Sequence, residues 1–516
     1  MSQEELDELF ICGKESYDLK DYNKAYEYYK QAAELGHATS QLCLGKMFEF
    51  GKGVSRDFAK AHEWYLKAAE QGLASAQARL GNLYSRGLGI EKDYEKALEW
   101  FRKAANQGEI HAQGSIGSMY EHGIGVERDY NKAREWYQRA ADRGSEIAQF
   151  SMGKLFENGL GVKQDLYASF DWYRKSAEKG FAPAENKLGN LFFEGVGTSK
   201  DLNEAYNWYQ KAADHGFAEA QARLAWMYRN GKGVAQDYNN AFEWYQKAAE
   251  KGDFTSQLYL GMMYERGEGV LQNYSKAYEW YEKAAVNGFA PAQYCLGNLY
   301  KQGLGVQQDE VKAYEWTRKA AEQGEVQAQR CLGIMYELGR GVPKDDTKAV
   351  EWYQKAADKG DISAQSFLGI MYEKGKGVSR NDSKAFEWCR KAAEKGDLVA
   401  QSHLGWLYQN GIGVPSDIIK AFDCYEDAAK KGEPGAQFSL AMMYQQGWGT
   451  SQSNSKAYEW FKKAAEQGQS AAQFCLGQMY ENGQGCSKDL SKAIEWYKKS
   501  AEQGNQHAIA SLKGIE

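Results

Sequence analysis

The sequence predicts an all-α fold, a solenoid of stacked helix pairs, on three observations. A 36-residue period runs from residue 37 to residue 504 without an insertion or a deletion, giving thirteen units. Glycine is abundant at 55 while proline is rare at 5, with 35 Tyr and 15 Trp beside them. Each unit also carries apolar residues at helical spacing on two segments, and neither segment can bury its apolar face alone. High glycine with high proline suggests disorder; high glycine with many aromatics suggests ordered helices with regular punctuation.

Four glycine columns hold all but five of the glycines. The columns of Gly51, Gly53 and Gly72 are Gly in all thirteen units, and the column of Gly45 is Gly in eleven, with Ala225 and Ala441 in the others. Gly72 follows a stretch rich in Ala, Lys and Glu, the helix-ending position at which a positive φ is cheap only for Gly. Gly51 and Gly53 end the preceding helix and turn the chain. The column of Asp57 then reads Asp, Asn or Ser throughout (Asp93, Asp129, Asn273, Asn381, Asp417, Ser453 and Asp489 among them), side chains that cap a helix N-terminus. Each unit is therefore read as helix A (about 38–50), a Gly-turned loop, helix B (about 57–71) and a short Gly turn.

Proline agrees with that reading. Pro183, Pro291 and Pro434 fall in the first turn of helix A, and Pro343 and Pro415 fall in the loop before helix B. None lies in a helix interior, where it would cost ~3 kcal/mol. Helix B carries Ala61, Trp64, Tyr65, Ala68 and Ala69; the small residues let neighbouring helices approach and the aromatic fills the gap. The Trp column is broken once, at Cys424. In helix A, Ala38, Gln41, Leu44, Gly45 and Phe48 recur. A mid-helix Gly costs up to ~1 kcal/mol against Ala, so its repetition requires another helix to cross there. Glu63 and Lys67, four apart in the favourable order, fit a solvated surface pair.

These columns resemble the Sel-one-like repeat family, a branch of the tetratricopeptide-like (TPR-like) α-solenoids. The matching residues in one unit are Ala76, Leu80, Gly81, Tyr84, Gly87, Gly89, Asp93, Lys96, Ala97, Trp100, Lys103, Ala104, Ala105 and Gly108. The resemblance implies a right-handed superhelical α/α solenoid of TPR-like helix pairs. Residues 1–36 lack the G-x-G loop and look like an ordinary tetratricopeptide capping repeat. Residues 37–504 form the thirteen Sel-one-like repeats, and residues 505–516 are read as a C-terminal capping helix. The family's members act as scaffolds and adaptors in membrane protein-degradation complexes, in bacterial signalling and host contact, or as immunity proteins against toxins.

Function follows from sites and not from the fold alone. The net charge is −6, from 64 Lys and Arg against 70 Asp and Glu, with no basic domain or stripe, which argues against a nucleic-acid partner. The first residues are acidic and lack both a basic start and a long apolar core, so no secretory signal is expected. No apolar run approaches the ~18 residues that span a bilayer. The expected location is the cytoplasm, with no membrane insertion; export by a route without such a signal stays open.

Chemical sites are not expected. The eight cysteines are 12, 43, 295, 331, 389, 424, 475 and 486. A cysteine-rich hydrolase branch of the resembled family carries a disulfide in each repeat, but here the intra-repeat partners are missing, so free thiols are expected. No C-x-x-C and no spaced Cys/His quartet is present, so no metal is expected. The seven histidines form no Cys–His or Ser–His–Asp grouping legible in spacing, and the G-x-G elements follow helices and lack a Gly-Lys-Ser/Thr ending, unlike nucleotide loops. The sequence therefore predicts no catalytic residue, no cofactor and no enzyme.

A partner surface is expected on helix A, which lines the concave face in TPR-like solenoids. Positions 39, 42, 46 and 49 form one stripe, and it differs from unit to unit. The column of position 46 is polar through Lys46, Asn82, Ser118, Lys154 and Asn190, and then mostly apolar: Trp226, Met262, Ile334, Ile370, Trp406 and Met442. The column of position 42 adds Leu258, Tyr294 and Phe438. These nine residues are the expected contacts to a protein or peptide ligand, since clustered aromatic and Met residues anchor interfaces. The other reading is that they pack between adjacent A helices. The first functional expectation is thus a non-catalytic scaffold or adaptor; a toxin-immunity or host-interaction protein is the second, and a hydrolase of the cysteine-rich branch the third.

Overall fold

The computed structural model describes residues 2–515, and among them every regular element is a helix. The chain divides into two compact units, Met1–Ser256 with Glu268–Val270, and Gln257–Gly267 with Leu271–Glu516. Within each, helices pair in chain order, consecutive helices packing on one another.

The local chemistry read in the sequence sets the element ends. In the first unit helix A spans Ala38–Phe50 and helix B Phe58–Glu70. Gly51 closes helix A in the left-handed conformation at φ 67°, its N–H donating to the Met47 carbonyl. Gly53, also at positive φ (70°), has a second reason to be glycine: a Cβ there would stand 2.3 Å from the Tyr22 carbonyl oxygen of the preceding helix pair. The loop thus seats one repeat on the last. Asp57 caps helix B by accepting from the Lys60 N–H, as Asp93, Asp129 and their equivalents do in later repeats. Residues Gln3–Asp18 and Tyr22–Glu34 form the first helix pair, opened by a reciprocal cap between Ser2 and Glu5, and Gln506–Ile515 is the last helix.

These caps titrate. The carboxyls of Asp93, Asp129, Asp345, Asp417 and Asp489 are held below the usual carboxylate range, first by the backbone N–H of the lysine three residues on and then by that lysine's ammonium. A carboxyl depressed in the folded state contributes stability that is complete above its unfolded value of about 3.9. That contribution is lost as pH falls through the lower folded values. The caps' share of the urea midpoint is expected to stay level from about pH 7 to pH 5 and to fall below about pH 4. His403, whose imidazole burial holds below its ordinary value, instead lowers the midpoint as pH falls below about 6.5; chemical denaturation across that range checks both.

The packing assigns the aromatic columns differently from their order of prominence in the sequence. The filler between paired helices is the tyrosine column. Tyr65, Tyr173, Tyr281, Tyr353 and Tyr497 are fully buried. The mid-helix glycine exists for this ring, since a Cβ at Gly45 would lie 2.5 Å from Tyr65 of the same repeat. The tryptophan beside it is only half-buried, and Lys67 lies over the Trp64 ring at 4.2 Å, a stack repeated by Lys103 on Trp100 and Lys355 on Trp352. The expected surface pair also forms in two repeats, with Lys103 Nζ 2.7 Å from Glu99 and Lys499 Nζ 2.7 Å from Glu495.

Gln41 has a role that its spacing did not disclose. Its buried side-chain amide donates to the Ala33 carbonyl at the end of the previous helix B, at 3.0 Å. Gln221, Gln293 and Gln365 do the same in their repeats. The Ala33 carbonyl also accepts from the Gly36 N–H, so the amide adds a second bond to a last-turn carbonyl and ties one repeat to the next.

Candidate functional site

Successive A helices meet along the stripe picked out in the sequence. From the 38–73 repeat to the 182–217 repeat these contacts include ion pairs: Arg79 pairs with Glu49 at 3.0 Å, Lys154 with Glu121 at 3.3 Å and Lys187 with Glu157 at 2.7 Å. The same glutamates accept from the buried tyrosines, as Glu157 does from the Tyr173 hydroxyl at 2.7 Å. A broad, open concavity lies on this face, lined among others by Lys46, Arg79, His111 and Ser118. The small residues Ala78, Gly114 and Ser115 line it too.

The nine expected contact residues occupy this face in graded burial. Trp406 is exposed (38 %), and Leu258 is buried (7 %). Trp226, Met262, Tyr294, Ile334, Ile370, Phe438 and Met442 are half-buried. Trp226 belongs to the first unit and meets Phe193 edge-on, with ring centroids 5.6 Å apart. The other eight belong to the second unit. There Phe438 leans on Phe461 at 5.7 Å, Tyr294 and Ile334 lie against the core between their helices, and Trp406 meets His403 at 5.7 Å. Each therefore has one side in the packing and, apart from Leu258, one side toward solvent.

The structure also brings together three groups that spacing could not. Cys389 replaces the buried tyrosine of its repeat, and its Sγ lies 3.6 Å from Nδ1 of His403 on the next A helix. Nε2 of His403 is 2.9 Å from Glu373. Cys389 and His403 are fourteen residues apart in different repeats, so no local motif joins them. The order Cys–His–Glu resembles a nucleophilic triad, but its electrostatics oppose one. Cys389 is fully buried; burial, and then the charges of Glu373 and Asp397, push its thiol up to about 12. Burial likewise holds the His403 imidazole below its ordinary value, against the pull of Glu373. A thiol held protonated is a poor nucleophile. The histidine instead takes the place of the missing tyrosine hydroxyl as the donor to the helix A glutamate.

All eight cysteines are free thiols, and no cluster of three or more His, Cys, Asp or Glu able to hold a metal ion occurs among the described residues. No helix among them is long and apolar enough to cross a membrane.

Comparison with known proteins places these repeats. The family model described as Sel1 repeat matches fourteen consecutive segments, from residues 13–37 through 38–73 and 74–109 to 470–505. The match thus includes the segment that the sequence sets apart as an ordinary tetratricopeptide repeat. Among solved structures, a protective antigen present in uropathogenic Escherichia coli strains, with an SLR fold, is 34 % identical over 88 % of this chain and 97 % of its own, with a TM-score of 0.72. A Sel1 repeat protein from Oxalobacter formigenes is 34 % identical over 60 % of this chain and 89 % of its own, with a TM-score of 0.47. An immunity protein from Pseudomonas aeruginosa is 22 % identical over 41 % of this chain and 81 % of its own, with a TM-score of 0.31. No protein of curated function matches the chain.

Proposed function

This chain belongs to the Sel1 repeat family, and from that premise we propose that it is a non-catalytic, cytoplasmic scaffold or adaptor that holds a protein or peptide against the face shared by its A helices. One observation carries the reading. The columns that build the frame are Gly53, the same in all thirteen repeats, and Gly45, Tyr65 and Asp57, replaced in only a few, whereas the columns of positions 42 and 46 change chemistry along the chain. A frame needs uniformity and a recognition surface needs difference. In the second unit the changing columns supply half-buried or exposed Met262, Tyr294, Ile334, Ile370, Trp406, Phe438 and Met442, the residue types that anchor protein interfaces.

Replacing Trp226, Ile370 and Trp406 together by Ser tests this. Capture of a partner from native lysate, identified by mass spectrometry, is expected to weaken by at least about tenfold, since interface anchors of this kind commonly contribute ~2 kcal/mol or more each. Far-UV helicity should be retained. Undiminished capture, or loss of helicity in place of loss of capture, sinks the assignment.

A second reading, contact with a host, draws on the Escherichia coli protective antigen, which this chain resembles over nearly all of that protein's length. It differs in predicting saturable binding of the purified chain to intact host cells, again through the A-helix face.

A further inference from the structure

Two junctions of the first unit show how the A-helix face holds a cation. Arg79 and Lys187 occupy the same position in their repeats, and each pairs with a glutamate on the preceding helix A, Glu49 and Glu157 respectively. Arg223 occupies that position one repeat after Lys187, but the residue in the place of Glu157 is Phe193. The glutamate has two tasks, and here they come apart. The buried Tyr209, whose counterpart Tyr173 donates to Glu157, donates instead to Asn190 at 2.6 Å. The cation finds no such substitute. Arg223 is exposed, and among the described residues no carboxylate forms an ion pair with it. Glu219, four residues earlier on the same helix, is exposed too, and an exposed pair at that spacing is weak enough to open for a partner.

Arg223 lines an open recess together with Phe193, Tyr209, Trp226 and Met227. Phe193 and Trp226, both half-buried, meet edge-on at 5.6 Å, and Lys200 lies over the Phe193 ring at 5.7 Å. A guanidinium presents a planar fork that matches a carboxylate through two parallel hydrogen bonds. Apolar walls beside it exclude part of the water that weakens such a pair on open surface. The recess thus offers a cation to a carboxylate and two rings to an apolar neighbour.

We infer that Arg223 receives an acidic side chain of the bound partner, with an adjacent apolar residue of that partner lying against Phe193 and Trp226. The carboxylate does for Arg223 what Glu49 does for Arg79 and Glu157 for Lys187, arriving on a side chain from a facing segment. The inference rests on the proposed role of the A-helix face, to which Trp226 belongs.

Ligand-detected NMR on the full chain tests it, with N-acetyl-Leu-Glu-amide, the matching Leu-Gln amide and N-acetyl-leucine as probes. The glutamyl probe is expected to bind saturably, with a Kd on the order of 1 mM for a ligand this small. The glutaminyl probe should bind about fivefold more weakly at low salt, and added salt should shrink the difference. Arg223→Gln should abolish that preference. So should Phe193→Glu, which restores the chain's own carboxylate opposite Arg223. If Phe193→Glu loses helicity, Arg223→Gln, at an exposed position, decides. Absence of saturable binding, equal binding of the glutamyl and glutaminyl probes, or a preference that survives in either folded variant overturns the inference. Binding of N-acetyl-leucine at least as tight as that of the glutamyl probe overturns it too, because the ligand is then a chain-terminal carboxylate. Failure of the partner-face reading is distinguishable: the triple serine variant would still capture its partner while the glutamyl preference of the unaltered chain persisted.

Discussion

Replacing Gly305 by alanine is expected to destabilise the second unit by roughly 2–5 kcal/mol, while the same replacement at Gly288 costs about 1 kcal/mol. Both glycines have positive φ, 69° and 89°, so both substitutions place an alanine in the left-handed region at roughly 1–2 kcal/mol or less. Their surroundings separate them. Nothing stands within 4 Å of a Cβ at Gly288. At Gly305 the added carbon would lie 2.3 Å from the backbone carbon and oxygen of Tyr274, atoms that cannot rotate away, and forcing such contact adds ~1–3 kcal/mol. Because repeats contact only their neighbours, the loss should be centred on the junction between the 255–289 and 290–325 repeats. Hydrogen exchange of those helices, with the urea midpoint of the whole chain, reads it. Equal costs at the two positions would refute the seating role of the second loop glycine.

Tyr353→Ala is expected to cost about 3–5 kcal/mol, the range for emptying a large buried aromatic site. The ring is fully buried against Gly333, whose Cβ would lie 2.5 Å from it, and its hydroxyl donates to Glu337 at 2.7 Å. Burial, and then Glu337, hold the phenol far above its ordinary value, so it stays a donor at any physiological pH. Tyr353→Phe keeps the packing and removes only that hydrogen bond, at a cost of about 1–2 kcal/mol. Denaturation of both variants separates packing from hydrogen bonding. Thr317 and Cys389 stand in the same column, so two repeats of the stack carry a smaller side chain there.

Much of this was legible in the sequence because repetition exposes backbone requirements. A glycine needed for a positive φ, an Asp needed to cap, a proline allowed only in a first turn: each is a local demand, and thirteen copies make it visible in one chain. The ends of helices A and B, the caps from Asp57 to Asp489 and the mid-helix crossing at Gly45 were all readable on that ground. The division of labour between Trp64 and Tyr65 was not. Both are aromatic and adjacent, and a 100° turn of the helix sends one into the gap and the other beneath a lysine. The purpose of Gln41 was hidden for a similar reason, since its acceptor, the Ala33 carbonyl, belongs to another helix.

By itself, then, the sequence determined the all-helical fold, the period, the element ends and the stripe along which neighbouring A helices differ, because these depend on bonds within a few residues. Only the tertiary structure decided what meets across repeats: Cys389 with His403 and Glu373, Gly53 with the Tyr22 carbonyl, Tyr294 with Cys331, and Leu258 inside with Trp406 outside. Those outcomes depend on distances between residues some 14 to 37 positions apart, and helix packing sets such distances, not local propensity.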